Sequence, residues 1–295
     1  MEIRGLPVEY QPLLELFDPS EFKEVKPARP EPVHLPLQVG EAAAHLWHDM
    51  AALVRFVGEL AAALAAAARH PGNVRWRDAL LAAENAGVNA LPIVALISFL
   101  MGLIMAFQSA IPMRQFGVEI FVADLVALSM LRELGPLMTA IILAGRSGSA
   151  FAAELGTMKV NEEINALTTM GLDPVRFLVV TRVLAAVFMM PFLTIFANLM
   201  GLIGGSVVLL SMDYPLVTYV QEVLNAVHLK DLMSGLGKSV VFAILVAGVG
   251  CLRGLQTRTG ASAVGLSATS AVVSGIVLVV IADGVFSVMF YYLGI

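Results

Sequence analysis

The sequence predicts an all-α integral membrane protein: N-terminal amphipathic and interfacial helices, then five transmembrane helices, with one short cytoplasmic helix between the second and third. Three observations predict it. Hydrophobic residues make up 58% of the 295 positions and charged residues only 14%, with a mean hydropathy of +0.84, far from the balance of a soluble domain. The charge is also uneven, since ten of the 23 acidic residues fall within the first sixty positions and long stretches beyond residue 88 hold almost none. Beyond that point, five apolar stretches each reach the ~20 residues a helix needs to cross a hydrocarbon core.

Residues 1–40 carry Pro7, Pro12, Pro19, Pro27, Pro30, Pro32 and Pro36 among acidic residues. Such a segment cannot bury a core and is expected to be a disordered cytoplasmic tail, and nothing in it reads as a cleavable signal peptide. Residues 41–87 are expected to form two helices. In the first, which ends at Pro71 and Gly72, Leu46, Met50, Leu53, Val54, Val57 and Leu60 recur at helical spacing, as on a helix lying against a membrane surface or partner. The second, near Val74 to Ala86, sets Arg75, Arg77 and Asp78 beside Trp76, Leu80 and Leu81, the pattern of an interfacial elbow in the headgroup layer.

Residues 88–295 form the membrane domain, with spans expected near 88–112, 119–145, 177–211, 231–252 and 264–291. The third is too long for one straight crossing at about 1.5 Å per residue. It must tilt, project beyond the bilayer, or break near Pro191 or the Gly201, Gly204, Gly205 cluster, whose small residues also permit close helix packing. With the N-terminus inside, fourteen basic residues in or beside the loops, from Arg4 to Arg258, fall on the cytoplasmic side and only Arg114 and Lys230 on the other. That asymmetry orients the chain and leaves the C-terminus outside. Between Met212 and Lys230, the residues Tyr214, Pro215, Tyr219 and Val220 suggest a short surface helix.

Several chemistries are excluded. The net charge of −5, with no basic stripe, gives no reason to expect nucleic-acid binding. Cys251, the single cysteine, has no partner for a disulfide or a thiolate metal site. Gly235-Leu-Gly-Lys-Ser239 ends like a phosphate-binding loop, but Leu232 stands where that loop requires glycine. Gly248-Val-Gly-Cys-Leu-Arg-Gly254 has one residue too many for a dinucleotide fingerprint. Of the histidines only His45 and His48 are close in sequence, and their spacing alone is no metal site. No catalytic residue and no bound cofactor is expected.

The informative polar residues lie inside the spans. Arg132 and Glu133 interrupt the second, Lys238 the fourth and Asp283 the fifth, each at a cost of about 2.5–3.5 kcal/mol near the bilayer centre. Adjacent helical residues diverge, so Arg132 and Glu133 must find partners elsewhere. Lys238 and Asp283 lie at matching depths, about 10–12 Å from the outer ends of their spans at helical rise, so they can meet. Such a pair either locks two helices together or serves the function. Arg132 and Glu133, deeper and beside Gly135 and Pro136, suit a polar patch in an apolar cavity, as a lipid with a charged headgroup requires. In the loop after the second span, Glu162, Glu163 and Asn165 form a polar side and Ile164, Leu167 and Met170 an apolar one, ended by Gly171 and Asp173-Pro174. This is either a solvated connector or, since exposed Ile, Leu and Met invite contact, a docking element for a cytoplasmic partner.

The run LRELGPLMTAIILAGRSGSAFAAELGTMKVNEEINALTTMGLDPVRFLVVTR closely resembles the MlaE/YrbE permeases of ABC transporters that work with MCE proteins. The resemblance extends from about Val54 to Ile295 and is densest over residues 128–205. It implies a multi-pass protein of the bacterial inner membrane with an interfacial helix and five spans, serving phospholipid trafficking. Implied partners are a second copy of the chain, a cytoplasmic ABC ATPase dimer that holds the ATP and magnesium, a periplasmic MCE hexamer, a phospholipid and, in some systems, a STAS-domain protein. It further implies a lipid pocket at Arg132, Glu133, Gln108 and Met105, charged positions at Lys238 and Asp283, and an ATPase coupling helix at Glu162, Glu163, Asn165, Leu167, Gly171 and Asp173. This chain departs from the pattern at Ile164 and Asn165, where many relatives carry glutamine or aspartate. Two other classes fit the intramembrane charges: an ion-coupled secondary transporter relaying protons through Glu133, Lys238 and Asp283, and a structural anchor for a periplasmic complex.

Overall fold

The computed structural model describes residue 51, residues 54–258 and residues 260–293. The chain divides into two units, Met1–Ala52 and Leu53–Ile295, and the membrane spans found among the described residues belong to the second. The tail expected over residues 1–40 and the helical turns expected from residue 41 to residue 50 lie outside the described residues. Among the described residues every regular element is a helix, and five helices are long and apolar enough to cross a membrane.

Helix α1 covers residues 54–69. Its buried face is not the one the spacing of Val54 and Val57 suggests: both are exposed, while Phe56, Leu60 and Ala63 are buried. These three recur at i, i+4 and i+7, on the side of the helix that buries the aromatic ring. Phe56 and Leu60 meet Gly248, where an added β-carbon would lie 3.3 Å from Leu60 Cδ2. Pro71 then breaks the chain, and Trp76 Nε1 donates to its carbonyl at 2.9 Å, fixing the start of α2 (Trp76–Gly87). That helix buries Ala79, Ala83 and Ala86 and exposes Trp76, Leu80 and Leu81, as an interfacial helix should. A tight turn leads into α3 (Leu91–Phe116), which stops where Gly117 takes a left-handed φ of 69°, a common helix C-terminus.

Helix α4 runs without interruption over Glu119–Val160, 42 residues. The loop expected from Gly145 is therefore helical for most of its first half. None of its glycines breaks the helix, and two are packing contacts: a β-carbon at Gly148 would press on Val246, and one at Gly156 would crowd the Thr257 hydroxyl. The stretch also carries Ala150, Ala152, Ala153, Glu154, Leu155, Met158 and Lys159, all good helix formers. Two wide π-helical turns lie within α4, at Met130–Leu134 and Ala144–Gly148. Short α5 (Glu163–Thr169) follows. It closes with Gly171 at φ 77°, as Leu172 N donates to Leu167 O and Gly171 N to Thr168 O, both at 3.0 Å, the paired bonds of a glycine-ended helix.

Helix α6 (Val175–Ser211) is one continuous run of 37 residues, about 55 Å at helical rise. It breaks neither at Pro191 nor at the glycine cluster, so its excess length is taken up by tilt or projection. The glycines instead bring α3 into close contact: β-carbons at Gly102 and Gly204 would run into the carbonyls of Gly201 and Phe99. Helix α7 (Leu216–Ala226) lies outside the spans. Tyr219, expected at a surface, is buried and donates to the Leu202 carbonyl at 2.8 Å; burial pushes its phenol up to about 12, so it stays a donor. Helix α8 (Leu229–Leu255) is the most enclosed span, packing on α4, α6 and α9 (Ala261–Leu293).

Two apolar clusters result. One joins Phe56, Leu155, Ile164, Met190 and Phe242 toward the α5 end, and the other joins Ala106, Val126, Met130, Leu209 and Tyr219 toward the α7 end. Replacing Gly204 by valine should force α3 and α6 apart and cost at least about 1–3 kcal/mol, read as a lower unfolding temperature in detergent. Gly58→Ala, whose added carbon meets nothing within 4 Å, should leave that temperature unchanged or slightly raised.

Candidate functional site

The first wide turn of α4 determines where the intramembrane charges go. Pro136 has no N–H, so the ordinary helical ladder is interrupted there, and Gly135 N bonds instead to Met130 O. Such π turns are frequent at functional sites. A β-carbon at Gly135 would collide with the Asn198 carboxamide of α6, so only glycine lets the widened turn approach α6. Arg132 and Glu133 sit on this turn.

Each reaches a different partner on α8. Lys238 Nζ donates to Glu133 Oε2 at 2.5 Å and to Asp283 Oδ1 of α9 at 3.1 Å, and lies 5.4 Å from the Phe290 ring centroid. Its side chain is 0% exposed, against 15% for Asp283 and 39% for Glu133. The buried end of the cluster is thus cationic, and Glu133 is its contact with the exterior. The second oxygen of Glu133 accepts from Ser287 at 3.4 Å. Arg132 Nε lies 3.6 Å from Asp231 Oδ1, and the other Asp231 oxygen accepts the His228 N–H at 2.9 Å, capping α8. Asp231 and Lys238 are seven residues apart, two turns along one face of α8, so one helix face receives both charges of the α4 turn. Two cations face three carboxylates here.

Glu133 and Arg132 open into a groove of about 450 Å³ lined also by Ser129, Ser287 and Phe290. A neighbouring groove of about 540 Å³ shares Phe290 and is walled by Met233, Val241 and Phe286. The arrangement is a charged groove beside an apolar trough, with Phe290 in the wall of both. Met105 packs instead against the apolar cluster near α7, and exposed Gln108 does not line the groove either.

The structure brings Lys238 and Asp283 together, as their depths allow, and adds Glu133 to the pair. Asp231 and Ser287 join the site without having stood out in the sequence. Asp231 falls at the expected start of the fourth span, and its i,i+7 spacing from Lys238 is the available signal. Lys238 also disposes of the apparent nucleotide loop, since Gly237-Lys238-Ser239 lies within a helix.

At the α5 end, Glu162 takes a left-handed φ of 61° and accepts from Asn165, whose carboxamide oxygen accepts from Lys159 at 3.2 Å. Glu162, Glu163 and Asn165 are exposed. Asp173 accepts the Val175 N–H at 2.9 Å and starts α6. The apolar side, expected to be open to a partner, is turned inward: Ile164 is buried and Leu167 packs against the same cluster. Only Met170, on the turn beyond α5, stays well exposed. Burying Ile164 and Leu167 ties the helix to its own bundle and leaves the acidic side outward.

The profile of a protein family described as Permease MlaE matches residues 80–289. A probable ABC transporter permease protein of Rickettsia typhi is 37% identical over 198 residues, covering 67% of this chain and 76% of that protein. The intermembrane phospholipid transport system permease protein MlaE of Haemophilus influenzae is 32% identical over 212 residues, 70% of this chain and 80% of that protein. The chloroplastic protein TRIGALACTOSYLDIACYLGLYCEROL 1 of Arabidopsis thaliana is 36% identical over 224 residues, 75% of this chain and 63% of that protein.

Lys238→Met should leave Glu133 and Asp283 without their cation and destabilise the protein by about 3–5 kcal/mol. Adding Glu133→Gln and Asp283→Asn should recover most of that loss. Thermal unfolding of the single and triple variants in detergent checks both.

Proposed function

The chain belongs to the MlaE permease family, and on that premise we propose that two copies form the membrane core of an ABC transporter that moves phospholipids between the inner membrane and a periplasmic MCE ring. A separate cytoplasmic ATPase dimer binds ATP and magnesium and supplies the energy. The chain is a permease subunit and performs no covalent chemistry. Its N-terminus and α5 lie on the cytoplasmic side, and α7 and the C-terminus on the periplasmic side.

One observation supports this most directly: the apolar trough walled by Met233, Val241, Phe286 and Phe290 adjoins, across Phe290, the groove that Arg132 and Glu133 line. Acyl chains fill such a trough through burial worth about 25 cal/mol per Å². A phospholipid headgroup needs charged groups at its end, and those groups must be held in place within the apolar span. Asp231 and Lys238 hold them. Met105 and Gln108 on α3 would join the pocket only across the contact between two copies.

The exposed acidic side of α5, Glu162, Glu163 and Asn165, is the coupling element, offered to a groove of the ATPase, with Gly171 and Asp173 shaping the turn that leads from it into α6. Because Ile164 and Leu167 anchor it to the core, a push on α5 is delivered to α4 and α6 rather than dissipated in a loop.

Reconstituted with its ATPase and periplasmic partner, an Arg132→Ala variant should assemble normally yet transfer fluorescent phospholipid at least about ten-fold more slowly, the loss expected when one charge-assisted contact is removed. Unchanged transfer would favour a structural anchor. Transfer by the chain alone, without an ATPase, would favour ion coupling. Glu163→Arg should reduce co-purification of the ATPase while leaving the unfolding temperature of the permease unchanged.

A further inference from the structure

A second polar cavity, of about 450 Å³, lies at the α5 end of the bundle, between α2, the second half of α4 and the first turns of α6. Its charged lining is Arg75, Arg146, Arg182, Asp78 and Glu154. Two of the three arginines are committed. Arg75 pairs with Asp78 and lies 4.5 Å over the Phe177 ring. Arg182 gives Nε and Nη2 to Glu154 Oε2 at 3.3 and 3.1 Å and Nη1 to the Leu178 carbonyl at 3.1 Å.

Arg146 has no ion-pair partner among the described residues. Beside it, Ser147 is 4% exposed, and its buried hydroxyl has no hydrogen-bond partner among them. Both sit on the second wide turn of α4 and both line the cavity. A guanidinium carries five N–H donors, so Arg146 offers all of its own and Arg182 keeps a second N–H on each terminal nitrogen. Buried hydroxyls are rarely left unpaired, and this one borders a space that an acceptor can fill.

The charge count indicates which acceptor. Three guanidiniums against two carboxylates leave one uncompensated positive charge, the complement of a singly charged phosphodiester. The rest of the lining includes apolar Leu81, Ala86 and Phe151. Exposed Trp76 and Leu80 on α2 put the cavity mouth in the headgroup layer, where aromatic and aliphatic side chains of an interfacial helix settle. We infer that this cavity binds the phosphodiester headgroup of a phospholipid from the leaflet in which α2 lies, with Arg146 and Ser147 as its principal donors. The site is separate from the Glu133 groove, and it needs only that the chain resides in a membrane, not that it transports.

Titrating the purified full chain in detergent with phosphatidylglycerol, and counting bound lipids by native mass spectrometry, tests this. Arg146→Ala, at an exposed side chain without an ion pair among the described residues, should weaken binding by about ten-fold, as expected for a charge-assisted hydrogen bond. Asp78→Asn should tighten it, an opposite sign that damage to the fold would not produce. The Arg146 effect should be the same size in an Arg132→Ala background, which separates this cavity from the groove. Equal binding by the parent and Arg146→Ala would overturn the proposal. So would millimolar inorganic phosphate displacing the lipid completely, since the cavity would then be a free-anion site.

Discussion

Lys238 is withdrawn from solvent in the middle of a membrane helix, and no other single feature constrains the fold as strongly. An ammonium group in that environment costs several kcal/mol unless oppositely charged groups surround it. Two of them do, and they come from two other helices. The requirement that Glu133 and Asp283 both reach one nitrogen fixes the axial register of α4 and α9 against α8. Apolar packing alone would tolerate sliding, because lipid tails are as hospitable as leucine. The wide turn at Met130–Leu134 belongs to the same constraint, since it redirects two adjacent side chains so that Arg132 and Glu133 meet Asp231 and Lys238.

The α3 and α6 contact works by other means. Its close approach comes from glycines whose missing β-carbons let backbone meet backbone. Between α4 and α8 the same device, with Gly235 against the Leu131 carbonyl, is combined with the ion pairs of Arg132 and Glu133. The Glu133 groove lies where polar side chains already have to be present for the register, and the proposed headgroup site would share them.

The five spans and their order are legible in the sequence because apolar runs near twenty residues are the strongest signal a sequence carries. The intramembrane charges are legible too, since each is conspicuous against its surroundings. Two things are hidden for physical reasons. Glycine reads as a breaker, yet at Gly148, Gly156 and Gly201 it marks contact and at Gly145 the helix runs through it, so the sequence suggests a helix end at Gly145 and allows a break near Gly201 where the structure has neither. Partnership between charges depends on which helices are neighbours, so Lys238 with Asp283 follows from equal depth, while Asp231, at a span's end, gives no sign of its partner. The inward turn of Ile164 is hidden because periodicity shows that a helix has an apolar side without showing whether its own bundle covers it.

The continuity of α4 bears on how α5 and the charged groove could communicate. From Glu133 to Val160 the chain is helical throughout, about 40 Å at helical rise, so a displacement at one end reaches the other without a flexible joint. The two wide turns are the places along that rod where its pitch is already altered, and each carries polar side chains facing a cavity: Arg132 and Glu133 on the first, Arg146 and Ser147 on the second. A π turn differs from an α turn by one residue per turn, so conversion between them rotates every side chain beyond it by about 100°. Ligands held at the two turns therefore bear on a single mechanical element. A headgroup bound at Arg146 would stiffen the rod near α5, on the α4 route by which a displacement of α5 reaches Glu133.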